Sequence, residues 1–221
     1  MTNIFPSQIP KDILIDPRRE GERIVYNGLK NIKNDQLNIF YSVEWTRLKK
    51  NSPKQDGECD FIVVHKNLGV ICFEVKGGKV FKKIDENGIP SFLSKDKKGE
   101  IHQIKNPYSQ AKKTKNVILD EWKKFNKNAF INIRHAVIFP ETNDPGDYKT
   151  LNEHRQTTIY AEDLSNFEIK LFEIFALEED VKYDDLRDDG VQYLKEIFLS
   201  EIPLREQLSS TIGIQRKEIE L

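Results

Sequence analysis

The chain has 221 residues, of which 38% are hydrophobic and 32% charged, and its mean hydropathy is −0.61. This composition excludes a disordered chain and predicts one large domain or two small ones with a sizeable core. No stretch approaches the ~18 consecutive apolar residues of a membrane-spanning helix, so we expect no membrane partner. The first residues (MTNIFPSQIPKD) also lack the pattern of a signal peptide. The formal net charge of −1 excludes a uniformly basic nucleic-acid binder.

The two cysteines, Cys59 and Cys72, are too few for the disulfide framework of a small secreted domain. They predict reduced thiols and a cytoplasmic location, and we interpret both as small buried hydrophobic residues. A zinc site is not expected, because the chain has no Cys-x-x-Cys pair. The four histidines are scattered along the chain, and we interpret them as structural or solvated: His65, His102, His135 and His154.

Local signals predict helices and strands in alternation. The first helix is predicted over 17–32, with Asp16-Pro17 as cap and first turn and an apolar stripe of Val25, Leu29 and Ile32. A second helix opens at Asn106-Pro107, again a capping residue followed by proline. The other elements are predicted in this order: a strand over 39–45, a hairpin of 59–65 and 69–76, short strands or a long loop within 77–105, strands over 133–139 and 157–160, and a helix from 161.

This order of elements predicts an α/β or α+β domain, which we place at residues 1–170. Residues 171–221 have a helical and acidic pattern. We expect them to be separate from the mixed core, either as an extension that packs against the domain or as a linker to something further. The last residues (GIQRKEIEL) contain no capping signal, so the sequence is either whole or a fragment cut ahead of a further domain.

Three charged residues of the hairpin carry the chemical signal: Asp60, Glu74 and Lys76. Side chains alternate along a strand, so Glu74 and Lys76 share one face of the sheet. Asp60 joins them only if the hairpin register pairs it with Glu74, which requires an odd number of loop residues. A loop of two or four residues would pair it with Val75 instead. We predict the odd loop, Lys66-Asn67-Leu68.

Two carboxylates in an apolar strand pair need partners or a metal. Their oxygens suit Mg²⁺ or Mn²⁺, and the carbonyl of Val75 could supply a third ligand beside Asp60 and Glu74. Lys76 could then orient or deprotonate a water, which is the chemistry of phosphodiester hydrolysis. The alternative is that Glu74 and Lys76 form an exposed pair on an edge strand, because Glu-x-Lys pairs of that kind are common.

Four short pieces follow one another in the chain: Gly21-Glu22-Arg23 with Leu29, Cys59 to Val64 (CDFIVV), Gly69 to Gly77 (GVICFEVKG), and Asn106-Pro107 with Gln110-Ala111. Together they resemble the nuclease-related domain family, a branch of the PD-(D/E)xK nuclease-like superfamily, over roughly residues 18–165. The resemblance implies a restriction-endonuclease-like core, with a central mixed sheet flanked by helices, and a metal-dependent nuclease. One departure is that Cys59 stands where the superfamily name implies proline.

The resemblance adds two site residues, Glu22 on the first helix and Gln110 on the second. Spacing supports both, since Glu22 shares a stripe with Tyr26 and Leu29, and Gln110 shares one with Thr114 and Val117. A carboxylate on an inward stripe suits the outer shell of a metal. The alternative for Glu22 is an exposed glutamate favoured by the helix dipole. The alternative for Gln110 is a polar residue at a helix start.

Charge is distributed unevenly along the chain. Residues 76–127 hold 14 lysines and 6 acidic residues, a net +8, whereas residues 141–221 are −11. The basic segment begins at the strand of Glu74 and Lys76, so we expect it to contact a phosphate backbone; the alternative is a solvated lysine-rich face. The segment has no arginine, so little base specificity is expected. The predicted nucleic-acid contacts are Lys79, Lys82, Lys83, Lys112 and Lys113.

These observations favour a Mg²⁺- or Mn²⁺-dependent nuclease that hydrolyses DNA with little sequence specificity. A second hypothesis is a non-catalytic DNA-binding module that keeps the fold. A third is an interaction domain with a vestigial site. Members of the family occur alone or fused ahead of a helicase or kinase, so the resemblance allows a fused or associated helicase as a partner, with this chain as its N-terminal part.

Overall fold

The computed structural model describes residues 2–47, 55–146, 155–177 and 181–199. Nine strands and five helices lie in these ranges, joined in places by short 3-10 turns. They run in chain order as β1 (Asn3–Phe5), α1 (Lys11–Ile15), α2 (Glu20–Asn31), β2 (Leu37–Arg47), β3 (Gln55–His65), β4 (Gly69–Val75), β5 (Lys79–Ile84), β6 (Pro90–Lys95), β7 (Ile101–Ile104), α3 (Pro107–Phe125), β8 (Ile133–Phe139), β9 (Thr158–Tyr160), α4 (Phe167–Phe175) and α5 (187–199).

Six strands form a central mixed sheet in the order β1-β2-β3-β4-β8-β9. The middle of the sheet is the antiparallel run β2-β3-β4, and β8 pairs parallel to β4. A separate antiparallel sheet contains β5, β6 and β7. It occupies the region 77–105, for which the sequence predicts short strands or a long loop.

Alternation along β3 and β4 sends apolar side chains to both faces of the sheet. Phe61 and Phe73 point to one face, where α2 and α4 pack, and Ile62 and Cys72 point to the other, where α3 and α5 pack. Both faces of the central strands are therefore covered by helices, and their residues form near-continuous hydrophobic runs. The predicted fold class, a mixed sheet flanked by helices, is confirmed.

The predicted helix starts agree with the structure. Asp16 accepts the backbone N–H of Arg18 at 2.9 Å, although a 3-10 turn over Pro17–Arg19 precedes α2. Asn106 accepts the N–H of Ser109 at 3.2 Å and caps α3. Strand β3 begins at Gln55, four residues before the predicted strand. Residues 48–54, between β2 and β3, lie outside the described residues.

The expectation that the chain beyond residue 171 is separate from the mixed core is wrong for the described residues 171–177 and 181–199. The boundary at residue 170 falls inside α4, whose Leu171, Ile174 and Phe175 are buried against one face of the sheet. Leu194 and Phe198 of α5 are buried against the other face. Their apolar stripe packs on the sheet, while the acidic residues within 171–177 and 181–199 are exposed. A division into 1–170 and 171–221 therefore stays a prediction for residues 200–221 alone.

None of the helices in the described ranges has the length and apolar character that a membrane crossing requires.

Candidate active site

The register of the β3–β4 hairpin is the one that a three-residue loop predicts. Phe61 pairs with Phe73 and His65 with Gly69, which leaves residues 66–68 as the loop. The next pair along this register is Asp60 with Glu74. Both carboxylates therefore leave the hairpin on the same face, at the end where Lys76 follows.

The ladder between β3 and β4 ends at the Phe61–Phe73 pair. Beyond it, the Val75 N–H donates to Oδ2 of Asp60 at 2.6 Å instead of continuing the ladder. A second irregularity lies across the other edge of β3, where Ser42 of β2 has a φ of 56° and interrupts the pairing of β2 with β3 opposite Asp60. Such a conformation costs a non-glycine residue of order 1–3 kcal/mol and is typical of functional sites. The two strands diverge where the carboxylates lie, and we call this place the strand fork: Asp60, Glu74, Val75 and Lys76.

Glu74 is 3% exposed, and its Oε1 lies 2.5 Å from Nζ of Lys76. Burial raises the pKa of Glu74, and the charge of Lys76 opposes that rise. Burial also raises the pKa of Asp60 well above its usual range, and the negative charge of Glu74 raises it further. With Asp60 and Glu74 both ionised, the strand fork would carry more negative charge than Lys76 balances, and a divalent cation would offset the surplus.

Glu22 lies on the inward side of α2, as its spacing with Tyr26 and Leu29 predicts. Its Oε2 accepts the hydroxyl of Tyr41 at 2.6 Å and Nη1 of Arg19 at 3.3 Å. The negative charge of Glu22 raises the pKa of both Asp60 and Glu74. Glu22 thus belongs to the electrostatic neighbourhood of the strand fork.

Two glycines let α2 approach the fork. A Cβ added at Gly21 would lie 3.0 Å from the Cα of Gly77 and 3.2 Å from Cγ of Pro140. Any side chain at position 21 would push α2 away from the end of β4. The Gly21-Glu22 and Lys76-Gly77 pairs in the sequence therefore meet in space.

Gln110 lies in the first turns of α3, half-buried, with Thr114 and Val117 buried on the same stripe. Its Oε1 is buried without a hydrogen-bond partner among the described residues. No described hydrogen bond joins Gln110 to the strand fork. Its inward orientation agrees with the sequence, and its role at the site stays a prediction.

The five predicted phosphate-contacting lysines are all exposed: Lys79, Lys82 and Lys83 on β5, and Lys112 and Lys113 on α3. The three on β5 do not share one face of the small sheet. Strand alternation puts Lys82 on the opposite face of the small sheet from Lys79 and Lys83. On α3, Nζ of Lys113 lies 4.9 Å from the ring centroid of Trp45.

The sequence reading did not single out Glu141, which directly follows Pro140 after β8. Its Oε2 accepts the N–H of Gly78 at 2.7 Å, just after the fork. A signal was present, because β8 runs parallel to β4 and a carboxylate after it reaches the same edge of the sheet. Glu141 also lines a cavity of about 490 Å³ together with Gly78, Lys79, Lys95, Asp96 and Lys97.

A second group of possible metal ligands lies on the small sheet. Carboxylate oxygens of Asp96 and Glu100 and a ring nitrogen of His102 lie within 4.8 Å of one another. The group is largely exposed, and Oδ1 of Asp96 already accepts the backbone N–H groups of Lys98 and Glu100, both at 2.9 Å. His102, which is predicted from the sequence to be structural or solvated, thus has two acidic neighbours. The buried carboxylates of the strand fork are the stronger candidate for a metal.

A central mixed sheet flanked by helices, with two carboxylates and a lysine where an antiparallel strand pair diverges, defines a nuclease-like α/β domain. The family model of the nuclease-related domain matches residues 17–140, more than half of the chain. The chain therefore belongs to the nuclease-related domain family, as the sequence resemblance indicates. No curated protein and no solved structure gives a significant match. Membership implies a nuclease-related function and an interaction with nucleic acid.

Proposed function

We propose that the chain is a divalent-metal-dependent nuclease that hydrolyses DNA phosphodiester bonds with little sequence specificity. The observation that carries the proposal is the strand fork. Asp60 and Glu74 converge there with raised pKa values, and Lys76 lies within hydrogen-bond distance of Glu74. Family membership supports the reaction class.

The residues of the fork fit a hard divalent cation. Carboxylate oxygens are the ligands that Mg²⁺ and Mn²⁺ prefer, and the surplus of negative charge at Asp60, Glu74 and Glu22 favours a cation. In the proposal, Asp60, Glu74 and the Val75 carbonyl hold the ion. A cation bound there polarises a phosphoryl oxygen and favours deprotonation of the attacking water.

The remaining site residues act around the reacting phosphate. Lys76 carries a positive charge at the fork, where it orients the attacking water and offsets charge that develops on the phosphoryl oxygens. Glu22, held by Tyr41 and Arg19, orients the outer shell of the metal site. Gln110, whose buried Oε1 has no partner among the described residues, is proposed to face the same site.

Other parts of the proposal rest on charge and on the resemblance. The lysines of 76–127, without any arginine, favour contacts to phosphates over base readout. A helicase as fused or associated partner and a cytoplasmic location stay predictions.

The proposal is tested by incubating the full chain with plasmid and labelled oligonucleotide DNA in the presence of Mg²⁺, Mn²⁺ or EDTA. We expect cleavage with either metal and none with EDTA. Asp60→Asn and Lys76→Ala should each lower the cleavage rate by about a hundredfold or more, because each removes charge that acts on the transition state. Circular dichroism checks that both variants fold.

Asp96→Asn is the matched control, because it removes one carboxylate from the exposed Asp96–Glu100–His102 group and leaves the fork intact. It should cut like the unchanged chain. If Asp96→Asn abolishes cleavage while Asp60→Asn does not, the assignment of the metal site to the fork is wrong. DNA binding without cleavage under every metal would instead indicate a non-catalytic module.

A further inference from the structure

The small sheet of β5, β6 and β7 has two chemically different faces. Its inner face turns toward the domain, since Phe92 lies 6.1 Å from Tyr108 of α3 between ring centroids, and Oγ of Ser94 donates to the carbonyl of Gly77 at 2.8 Å. The strand register puts a different set of side chains on the other side. We call this set the outer face: its charged and aromatic members are Lys79, Phe81, Lys83 and Lys95, and the others are Ser91, Leu93, Ile101 and Gln103.

The outer face carries positive charge and no acidic residue. Lys79, Lys83 and Lys95 are exposed, and none forms an ion pair among the described residues. Lys79 pairs directly with Lys95 in the ladder, and like charges opposite one another destabilise a strand pair. The nearest carboxylates in the adjoining cavity accept backbone N–H groups, Asp96 from Lys98 and Glu141 from Gly78. An anion bound between the lysines would relieve this repulsion.

An aromatic ring lies among these lysines. Phe81 is 40% exposed and pairs with Leu93, which pairs in turn with Gln103. Lys79 and Lys83 flank Phe81 on the same face, each about 6.7 Å along the strand. A ring between cations on an open sheet fits a base stacked on the ring with its neighbouring phosphates on the lysines.

The outer face is held at a fixed position relative to the strand fork. Only Gly77 and Gly78 separate Lys76 from β5, and both are fastened. Glu141 accepts the Gly78 N–H, and Oγ1 of Thr142 donates to the Gly78 carbonyl at 3.0 Å and accepts the Val80 N–H at 2.8 Å. The turn after β6 also reaches α2, where Lys97 forms an ion pair with Glu20 at 2.5 Å. A strand of nucleic acid on the outer face would therefore lead directly to the fork.

We propose that the outer face binds a single-stranded segment of the nucleic-acid substrate, with one unpaired base stacked on Phe81 and phosphates on Lys79, Lys83 and Lys95. The proposal rests on the proposed function in taking a nucleic acid as the substrate. It adds that the substrate is unpaired next to the cleavage site, because a base inside a duplex cannot present its ring face to Phe81. Four of the eight outer-face residues act through charge or stacking, neither of which reads base identity.

The test measures binding of the full chain, in EDTA, to a fluorescent oligothymidylate and to a duplex of the same length. EDTA prevents cleavage, so binding is measured independently of catalysis. We expect the single strand to bind more tightly. Phe81→Leu removes the ring and should weaken single-strand binding about tenfold, whereas Phe81→Tyr keeps the ring and should bind like the unchanged chain. Ile84→Ala, on the other side of β5 and 53% exposed, is the matched apolar control.

The lysines provide a second comparison. Lys83→Ala should reduce the salt dependence of single-strand binding by about 0.7 in slope, and Lys82→Ala, on the inner face, should have a smaller effect. Equal or tighter binding of the duplex overturns the inference, as does normal binding by Phe81→Leu or no binding of either probe. Weakened binding by Phe81→Leu in a chain that cuts no DNA with any metal would support the inference and overturn the proposed function.

Discussion

Oδ2 of Asp60 accepts the backbone N–H of Val75 at 2.6 Å, at the point where β3 and β4 stop pairing. A side chain thus takes the place of the strand ladder. The bond holds Asp60 against β4 where the pairing ends. Glu74, which is opposite Asp60 in the register, lies on the same face of the sheet. The candidate metal ligands therefore lie where a side-chain hydrogen bond, from the Val75 N–H to Asp60, replaces a backbone hydrogen bond of the strand pair.

Asp60→Asn should show how much the Asp60 carboxylate lowers the stability of the metal-free protein. In the metal-free protein the folded state raises the pKa of Asp60, so the free energy of unfolding decreases as the pH rises from the unfolded pKa of Asp toward that raised pKa. Asparagine keeps an oxygen for the Val75 N–H and removes the charge. We expect the variant to be more stable than the unchanged chain at pH 8 without metal. The difference should shrink as the pH falls toward the unfolded pKa of Asp, about 3.9.

With bound metal, the unchanged chain should instead be more stable than Asp60→Asn. Mn²⁺ at about 100 times its dissociation constant stabilises a protein that binds it by about 2.7 kcal/mol. Denaturant unfolding with and without Mn²⁺ should show this gain for the unchanged chain and for Asp96→Asn, and little of it for Asp60→Asn. An equal gain in Asp60→Asn would show that the cation binds elsewhere.

The burial of His65 predicts that stability decreases at acidic pH. It is 4% exposed, lies beside the rings of Phe172 and Phe175, and accepts the Asn67 N–H on Nδ1 at 3.2 Å. Burial lowers its pKa. A group with a lowered pKa binds a proton more readily in the unfolded chain, so its contribution to stability is complete above the unfolded pKa of about 6.5 and is lost as the pH falls below it.

We therefore expect the free energy of unfolding to decrease from pH 7 to pH 5 with a His65 contribution of at most about 1.4 kcal/mol per pH unit. Urea unfolding at a series of pH values measures it. His65→Gln should be less stable overall, because the site is packed, but should show a shallower pH slope over this range. The same slope in both proteins would assign the pH dependence to other groups.

Much of the fold could be predicted from local sequence. The caps Asp16 and Asn106 locate two helices, and counting the residues of the 66–68 loop fixes the register that pairs Asp60 with Glu74. These signals are local, and each has a direct physical cause in hydrogen bonding or side-chain alternation. The packing of α5 on the sheet is hidden by the acidic residues that dominate its composition, although Leu194 and Phe198 have helical spacing.

The divergence of the strands and the separation of the lysines could not be predicted in the same way. The pairing of β3 with β4 ends after Phe61 and Phe73, and the pairing of β3 with β2 is interrupted at Ser42. Both are non-local features with no sequence motif of their own. The lysines are close together in the sequence, but only the strand register shows that Lys82 lies on the other face of the small sheet from Lys79 and Lys83. Non-local pairing, rather than local propensity, thus decides which charges act together.

Gly21→Ala tests whether close approach of α2 matters to the site. Its Cβ would lie 3.0 Å from backbone Cα of Gly77, which no side-chain rotation can relieve. We expect the free energy of unfolding to fall by about 1–3 kcal/mol through overpacking. We also expect the cleavage rate to fall about 10- to 100-fold, because Glu22 and Lys76 flank the two glycines and a small displacement misaligns both. Asn27→Ala, on the exposed side of α2, is the control and should retain stability and activity. Loss of stability with full activity would show that the site tolerates displacement of α2, and would remove Glu22 from the proposed machinery.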